Sequence, residues 1–415
     1  MSLPHVSMTA PIALAADGCD RATAYHMSNK ILRREDGIYV TWLDVDYRIM
    51  VGRVTAAGEL EFAYPLAQGI DNHCGAALAA TPDGRMHVVV GSHGHGFIHL
   101  FTESPAQPGS WSLPASIGIG ATYPSLLSLA GGELALAYRF SGSDPRGVHF
   151  IRRPAGGPQW GWPLTLLQMP APGYVFTTNS LARSPGGNLH LLAEFYKTYP
   201  ENRAPAHTMA VCHLESPDGG VTWFHDDGRP VARVPVCLED TSPVIFRGGG
   251  NPRIGNLVVL ADGCPAFCCW DQFACTLDLH VRMPDRKWLR HDLTAAASAL
   301  RPGARPGFHA ALAPHADGTL TAICTLSENC SWADPTQTLA GLRIDPRDGS
   351  ILAAAAVSDD LPGQPSWLPS IEKNRIFEAG DAPFLLYTRG INGPTHNSCA
   401  PCEVMFKRVE LPPKT

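Results

Sequence analysis

The sequence predicts an all-β protein, a seven-bladed β-propeller. Three observations carry this: a cassette that recurs seven times, a turn-rich composition, and little helical periodicity. Of 415 residues, 45% are hydrophobic and 17% charged, a balance that packs a core and excludes a disordered or coiled-coil chain. The 40 Gly and 37 Pro follow no collagen-like period and form no low-complexity block. They mark turns, and many turns in an apolar chain mean many short strands.

Each cassette is an apolar run, a two-residue turn and a second alternating run, which is the signature of a tight hairpin. The first is ILRREDGIYVTWLDV around Asp36-Gly37, and the second is ALAATPDGRMHVVVGSH around Asp83-Gly84. SLLSLAGGELALAYRFS follows at Gly131-Gly132, then SLARSPGGNLHLLAEFY at Gly186-Gly187. NLVVLADGCPAFCCWD turns at Asp262-Gly263, ALAPHADGTLTAICTLS at Asp317-Gly318, and RIFEAGDAPFLLYTRG at Gly380-Asp381. Successive turns lie 47, 48, 55, 76, 55 and 63 residues apart, so the longer intervals carry loops inserted between strands. A hairpin unit repeated at this length predicts radial repetition, with one propeller domain over residues 1–415. Residues 11–16 are expected to pair with the last blade and remove its free edge. Two Ala-rich stretches, 294–303 and 351–360, are short candidate helices between repeats.

The net charge of −6 gives no basic stripe for nucleic acid or an anionic membrane surface. No apolar stretch reaches the roughly 18 residues that a spanning helix needs. The first 20 residues lack a basic leader region, so the chain as given reads as cytoplasmic, or as secreted or periplasmic if a leader precedes it. Twelve cysteines show no disulfide-framework spacing, which predicts reduced thiols. Cys264, Cys268, Cys269 and Cys275 read as core thiols, with the adjacent pair on opposite strand faces.

Chemistry concentrates in repeats two to four. Asp71-Asn72-His73 precedes the first strand of repeat two, and Ser92-His93-Gly94-His95 ends its second. A strand-turn-strand returns the chain to the same end of a blade, so His73 and His93 share one face. Tyr123 and Arg139 stand in the same relation in repeat three, and Tyr196 occupies the matching place in repeat four. Arg forks onto carboxylates, and tuned Tyr and His groups move protons. Removing the C5 proton of a uronic acid needs its carboxylate neutralised, a base at C5 and an acid at the leaving O4. Arg139, His73 or Tyr123, and Tyr123 supply those functions, with His93 orienting the tyrosine or neutralising charge, and no cofactor is required. Hydrolysis instead wants two carboxylates at a set separation. Asp44, Asp46, Glu194 and Asp271 lie in different repeats with no shared pattern.

Ser216-Pro217-Asp218-Gly219-Gly220-Val221-Thr222-Trp223 fits the S-x-D-x-G-x-T-W Asp-box of bacterial neuraminidase (BNR) repeats, a turn staple of sialidase-like propellers. The cassette DNH-x(19)-H, followed by TYP and YRFSG, resembles the BNR-4 type seven-bladed lyases, which include ulvan and rhamnose–glucuronate lyases. That resemblance is specific over residues 71–139. It implies His73, His93, Tyr123 and Arg139 as catalytic residues, with Asn72, His95 and Tyr196 binding substrate and His95 a rival to His93. It also implies a uronic-acid-containing oligo- or polysaccharide as partner and β-elimination to a 4,5-unsaturated uronate as the reaction. A sialidase-like hydrolase and a non-catalytic carbohydrate-binding propeller are the alternatives. Finally, His396, Cys399 and Cys402 form H-x2-C-x2-C, a spacing that suits structural zinc with Cys330 or Cys19 as fourth ligand, or else three loop residues with free thiols.

Overall fold

The computed structural model describes residues 10–411 except 56–57, 105–108, 143–145, 169–173, 199–206, 238–239, 241–251 and 396–397. For 174–178, 196–198 and 207–209 it describes the backbone. Among the described residues its strands form seven mainly antiparallel blades, two of them joined through one long strand in an eight-stranded sheet that Val236–Cys237 extends in parallel. Blade one comprises Ile31–Arg34, Gly37–Leu43, Arg48–Val54 and Leu60–Gln68. Blade two comprises Ala76–Ala80, Met86–Val90, His95–Phe101 and the first half of the long strand Ala115–Ser128. The second half of that strand opens blade three, followed by Leu134–Phe140, Gly147–Arg153 and Leu164–Gln168. Blade four runs from Tyr174–Arg183 to Phe224–His225, and blade five from Pro252–Ile254 to Trp288–Asp292. Blade six runs from Arg305–Pro314 to Ile351–Ala356. Blade seven holds Ser366–Ile371, Phe384–Arg389 and Cys402–Arg408, and Ile12–Gly18 completes it by pairing with Cys402–Arg408. Strands of each blade touch the next, and Ile31–Arg34 meets Phe384–Arg389, so the ring closes.

All seven sequence-read turns sit in the first hairpin of a blade. Glycine is required there by conformation. Gly187, Gly263 and Gly318 have φ of 95°, 88° and 82°, yet a Cβ would meet nothing within 4 Å. Between blades the alternating apolar faces interleave. Leu127, Ala137 and Phe150 of blade three pack with Leu189, Leu191 and Trp223 of blade four. A fully buried side chain of this size contributes about 1.5–3 kcal/mol. The Asp-box behaves as a staple. Asp218 accepts from the Val221 and Thr222 amides at 3.1 and 2.8 Å and from the Thr222 hydroxyl at 2.7 Å. Trp223 is buried edge-on to Phe150.

Three expectations are corrected. The Ala-rich stretch at 351–360 forms an edge strand, Ile351–Ala356, because Thr338–Ile344 offers it a backbone ladder, and among the described residues α-helix is confined to Thr294–Ser298 within the other. The thiols are not all reduced: Cys19 pairs with Cys399 and Cys275 with Cys330. Cys275 therefore leaves the core-thiol group, whereas Cys264, Cys268 and Cys269 are free and buried, the last two in clusters on opposite faces of their strand.

The stretch 19–30 belongs to no blade, and every residue in it is buried. It packs against several blades through hydrogen bonds to their backbone carbonyls. The Thr23 hydroxyl donates to the Leu368 carbonyl at 2.7 Å, and the Ser28 hydroxyl to that of Pro124 at 2.6 Å. Asn29 and Lys30 reach the carbonyls of Leu78 and Ala76, so blades two, three and seven all hold it.

Candidate active site

Tyr123 is aimed by a bulge. Ala137 pairs with Ser125 and Arg139 with Thr122, which leaves Tyr123 and Pro124 opposite Tyr138 alone. Tyr123 takes φ 59°, a left-handed conformation costing a non-glycine residue about 1–2 kcal/mol. Blade seven repeats the device with Leu368 (φ 53°) and Pro369 opposite Tyr387, and blade six with His309 (φ 79°).

Around Tyr123 the structure gathers His73, His93 and Arg139, as the hairpin geometry predicts. The Arg139 guanidinium carbon lies 4.5 Å from the Tyr123 ring centroid. His73 and His93 stack at 4.3 Å. Asp71 ties them together: its Oδ2 accepts from His93 Nδ1 at 2.6 Å, and its Oδ1 lies 3.3 Å from His73 Nδ1. Burial pushes the Asp71 carboxyl up, but hydrogen bonds from His73 and His93 outweigh it and hold it far below the carboxylate range. With Nδ1 bonded to Asp71, His93 presents Nε2 on its partly exposed edge, and that side chain is 29% exposed.

Two residues unseen in the sequence complete the group, both from the segment 19–30. Arg21 Nη1 donates to His73 Nε2 at 2.9 Å and to the Tyr25 hydroxyl at 3.2 Å. Its guanidinium lies 5.1 Å from the Trp332 ring. Tyr25 packs against Tyr123 with centroids 4.4 Å apart. Burial pushes the Tyr25 phenol up, against the pull of Arg21 and Arg139. Burial lowers His73 to about 4, helped by Arg21 and His93 and opposed by Asp71. His73 is thus a neutral imidazole whose acceptor lone pair is already engaged, which disfavours it as a base.

The other predicted residues fall elsewhere. Asn72 is buried and its amide donates to the Ser398 carbonyl at 3.2 Å, so it holds a loop and does not face substrate. His95 is exposed at the start of the strand His95–Phe101, on a different side of the Gly94 turn from His93. Tyr196 lies in the strand Leu189–Thr198, and its side chain is outside the described residues. In the predicted zinc set, Cys399 is disulfide-bonded to Cys19 and has no thiolate to offer a cation. Cys402 is buried with Sγ on the Ile391 carbonyl, and His396 lies outside the described residues. A cavity of about 520 Å³ opens on the opposite face of the ring, lined by Arg33, Arg183 and Lys373 among others, and no predicted site residue reaches it.

The site face holds no carboxylate pair among the described residues. Asp71 is engaged by the histidines, and Glu194 by Arg253 at 2.9 Å and the Ile254 amide at 2.8 Å.

Comparison with known proteins places the chain in a family. The chain superposes on a PL25 ulvan lyase, also solved bound to -[GlcA(1-4)Rha3S]-, with TM-score 0.74, 12% identity and 96% of each chain covered. It superposes on the polysaccharide lyase Uly1 with TM-score 0.61 and 12% identity, covering 98% of this chain and 100% of that one. At such identity the likeness is one of fold. No curated protein matches the chain in sequence. Residues 37–259, more than half of the chain, match the BNR_4 family, described as BNR repeat-containing family member. The chain belongs to the BNR_4 repeat-containing family.

Proposed function

We propose that the protein is a polysaccharide lyase that cleaves a uronic-acid-containing saccharide by β-elimination. One observation carries this reading: phenol, imidazole and guanidinium groups converge on one face of blades two and three, where most glycoside hydrolases place two carboxylates. The fold it shares with two polysaccharide lyases supports it, and the glucuronate–rhamnose ligand of one suggests the substrate class.

In this mechanism a uronate ring sits over Tyr123 with its carboxylate toward the buried cations. Arg139 stabilises the enolate-like charge that develops as the C5 proton leaves, and a low-dielectric floor strengthens that effect. The proton passes to His93 Nε2, the acceptor that Asp71 orients, or to Tyr123 where it starts as the phenolate and becomes the phenol by taking that proton. The C5 electron pair forms the 4,5 double bond, and O4 leaves with a proton from the Tyr123 phenol. His73, neutral and engaged at both nitrogens, shapes the site without taking the proton.

The test is product analysis by mass spectrometry after incubation with glucuronate–rhamnose oligosaccharides. Elimination gives a new non-reducing end one water lighter than hydrolysis would give. Products carrying that added water overturn the lyase reading in favour of a hydrolase.

A further inference from the structure

A guanidinium only donates hydrogen bonds. Where Arg21 Nη1 meets His73 Nε2 at 2.9 Å, that nitrogen must be the acceptor, so the ring proton sits on Nδ1, 3.3 Å from Asp71 Oδ1. We propose that Arg21 is a positioning residue of the site, locking His73 as the neutral Nδ1–H tautomer and joining it to the Tyr25–Tyr123 phenol pair. Its effect on turnover rests on the lyase reading, but the tautomer does not.

The surroundings make Arg21 rigid. Cys19 is disulfide-bonded to Cys399, and Asp20 accepts from the Gly393 amide at 2.6 Å, so the backbone just before Arg21 is clamped to the last loop of the ring. The Trp332 face covers the guanidinium, and one nitrogen serves both His73 and Tyr25. Charged and titratable groups face His73 from three elements. Arg21 and Tyr25 come from the central segment, Asp71 and His93 from blade two, and Tyr123 with Arg139 stands behind Tyr25 from blade three. Lys30 is bonded to the Ala76 carbonyl three residues along the chain. Asp71 alone favours a charged His73, while burial, Arg21 and His93 oppose it. Removing Arg21 deletes a cation and frees the Nε2 lone pair. His73 should then bind a proton at higher pH. Arg21→Lys keeps the charge and a donor nitrogen but lacks the planar guanidinium that the Trp332 face covers.

The experiment is nitrogen-15 NMR of the imidazole rings in the full-length protein, with the His73 signals identified by their loss in His73→Gln. The wild type should show His73 with a protonated Nδ1 and an acceptor Nε2, unchanged from about pH 8 to about pH 5. In Arg21→Gln its titration midpoint should rise by about one pH unit or more, and in Arg21→Lys most of that shift should be absent. On a cleaved substrate, the acid limb of the kcat profile should move up with it in Arg21→Gln, which a merely structural loss would not produce. A His73 protonated on Nε2 in the wild type overturns the proposal, whether or not the variant folds. So does an unmoved midpoint in Arg21→Gln with native circular dichroism. Failure of every saccharide to react leaves the NMR result intact and counts against the lyase reading alone.

Discussion

At the scale of single residues, the account divides the site into groups that touch substrate and groups that hold them. Tyr123→Phe removes one oxygen while the ring keeps packing against Tyr25 and beneath Arg139. It should lower kcat by at least about 10²-fold with KM nearly unchanged, as expected for a lost proton donor, and steady-state kinetics check it. Asp71→Asn keeps the shape but cannot accept the Nδ1 protons of both histidines, so it should cost about 10–100-fold in kcat through disorientation of His93. His73, His93, Tyr123 and Arg139 were legible in the sequence because each ends a hairpin strand, and hairpin ends return to one face. Arg21 and Tyr25 were not legible, since CDRATAYHMSNK follows no period and belongs to no repeat. The hydrogen bond from the Asn72 amide to the Ser398 carbonyl was not legible either, because it joins residues far apart in the chain.

At the scale of elements, two devices decide geometry. The bulge that aims Tyr123 has a sequence trace, the Y-P-S of residues 123–125 echoed by L-P-S at 368–370, with Leu368 and Tyr123 both left-handed. The central segment has none, because its hold comes from blades distant in the chain. The Cys19–Cys399 link spans 380 residues, and no spacing rule pairs such cysteines. Because it closes so long a loop, Cys399→Ser should lower stability by about 2–5 kcal/mol in denaturant unfolding. It should also reduce turnover by loosening the segment that carries Arg21. The Asp-box provides the contrast. Asp218→Ala strips the acceptor from a hairpin remote from the site, costing about 1–3 kcal/mol with kcat unchanged.

At the scale of the whole molecule, the seven cassettes made the ring legible, because each turn marks the first hairpin of a blade and Ile12–Gly18 pairs with the last, where it covers a free edge. The ring also buries many neutral histidines. Burial, chiefly, lowers His26, His99, His190 and His280 to about 3, and His73, His87, His149 and His315 to about 4. Below the unfolded value of 6.5 the unfolded chain binds protons that the folded one refuses, so stability falls as pH drops. The loss is at most about 1.4 kcal/mol per histidine per pH unit, and it continues until each folded value is reached. The raised carboxyls of Asp20, Asp278 and Glu372 act in the opposite sense but are fewer. Tm should therefore fall steeply on acidification from 6.5 toward 4, and calorimetry across that window checks it.

The central claim is that this face of the ring performs elimination. It is tested most directly by following the ultraviolet absorbance of a 4,5-unsaturated uronate while wild type and Tyr123→Phe act on the same glucuronate–rhamnose oligosaccharide. The account predicts steadily rising absorbance with the wild type and a rate at least about 10²-fold lower with the variant. Release of reducing ends without that absorbance, or near-normal absorbance growth with Tyr123→Phe, would contradict it.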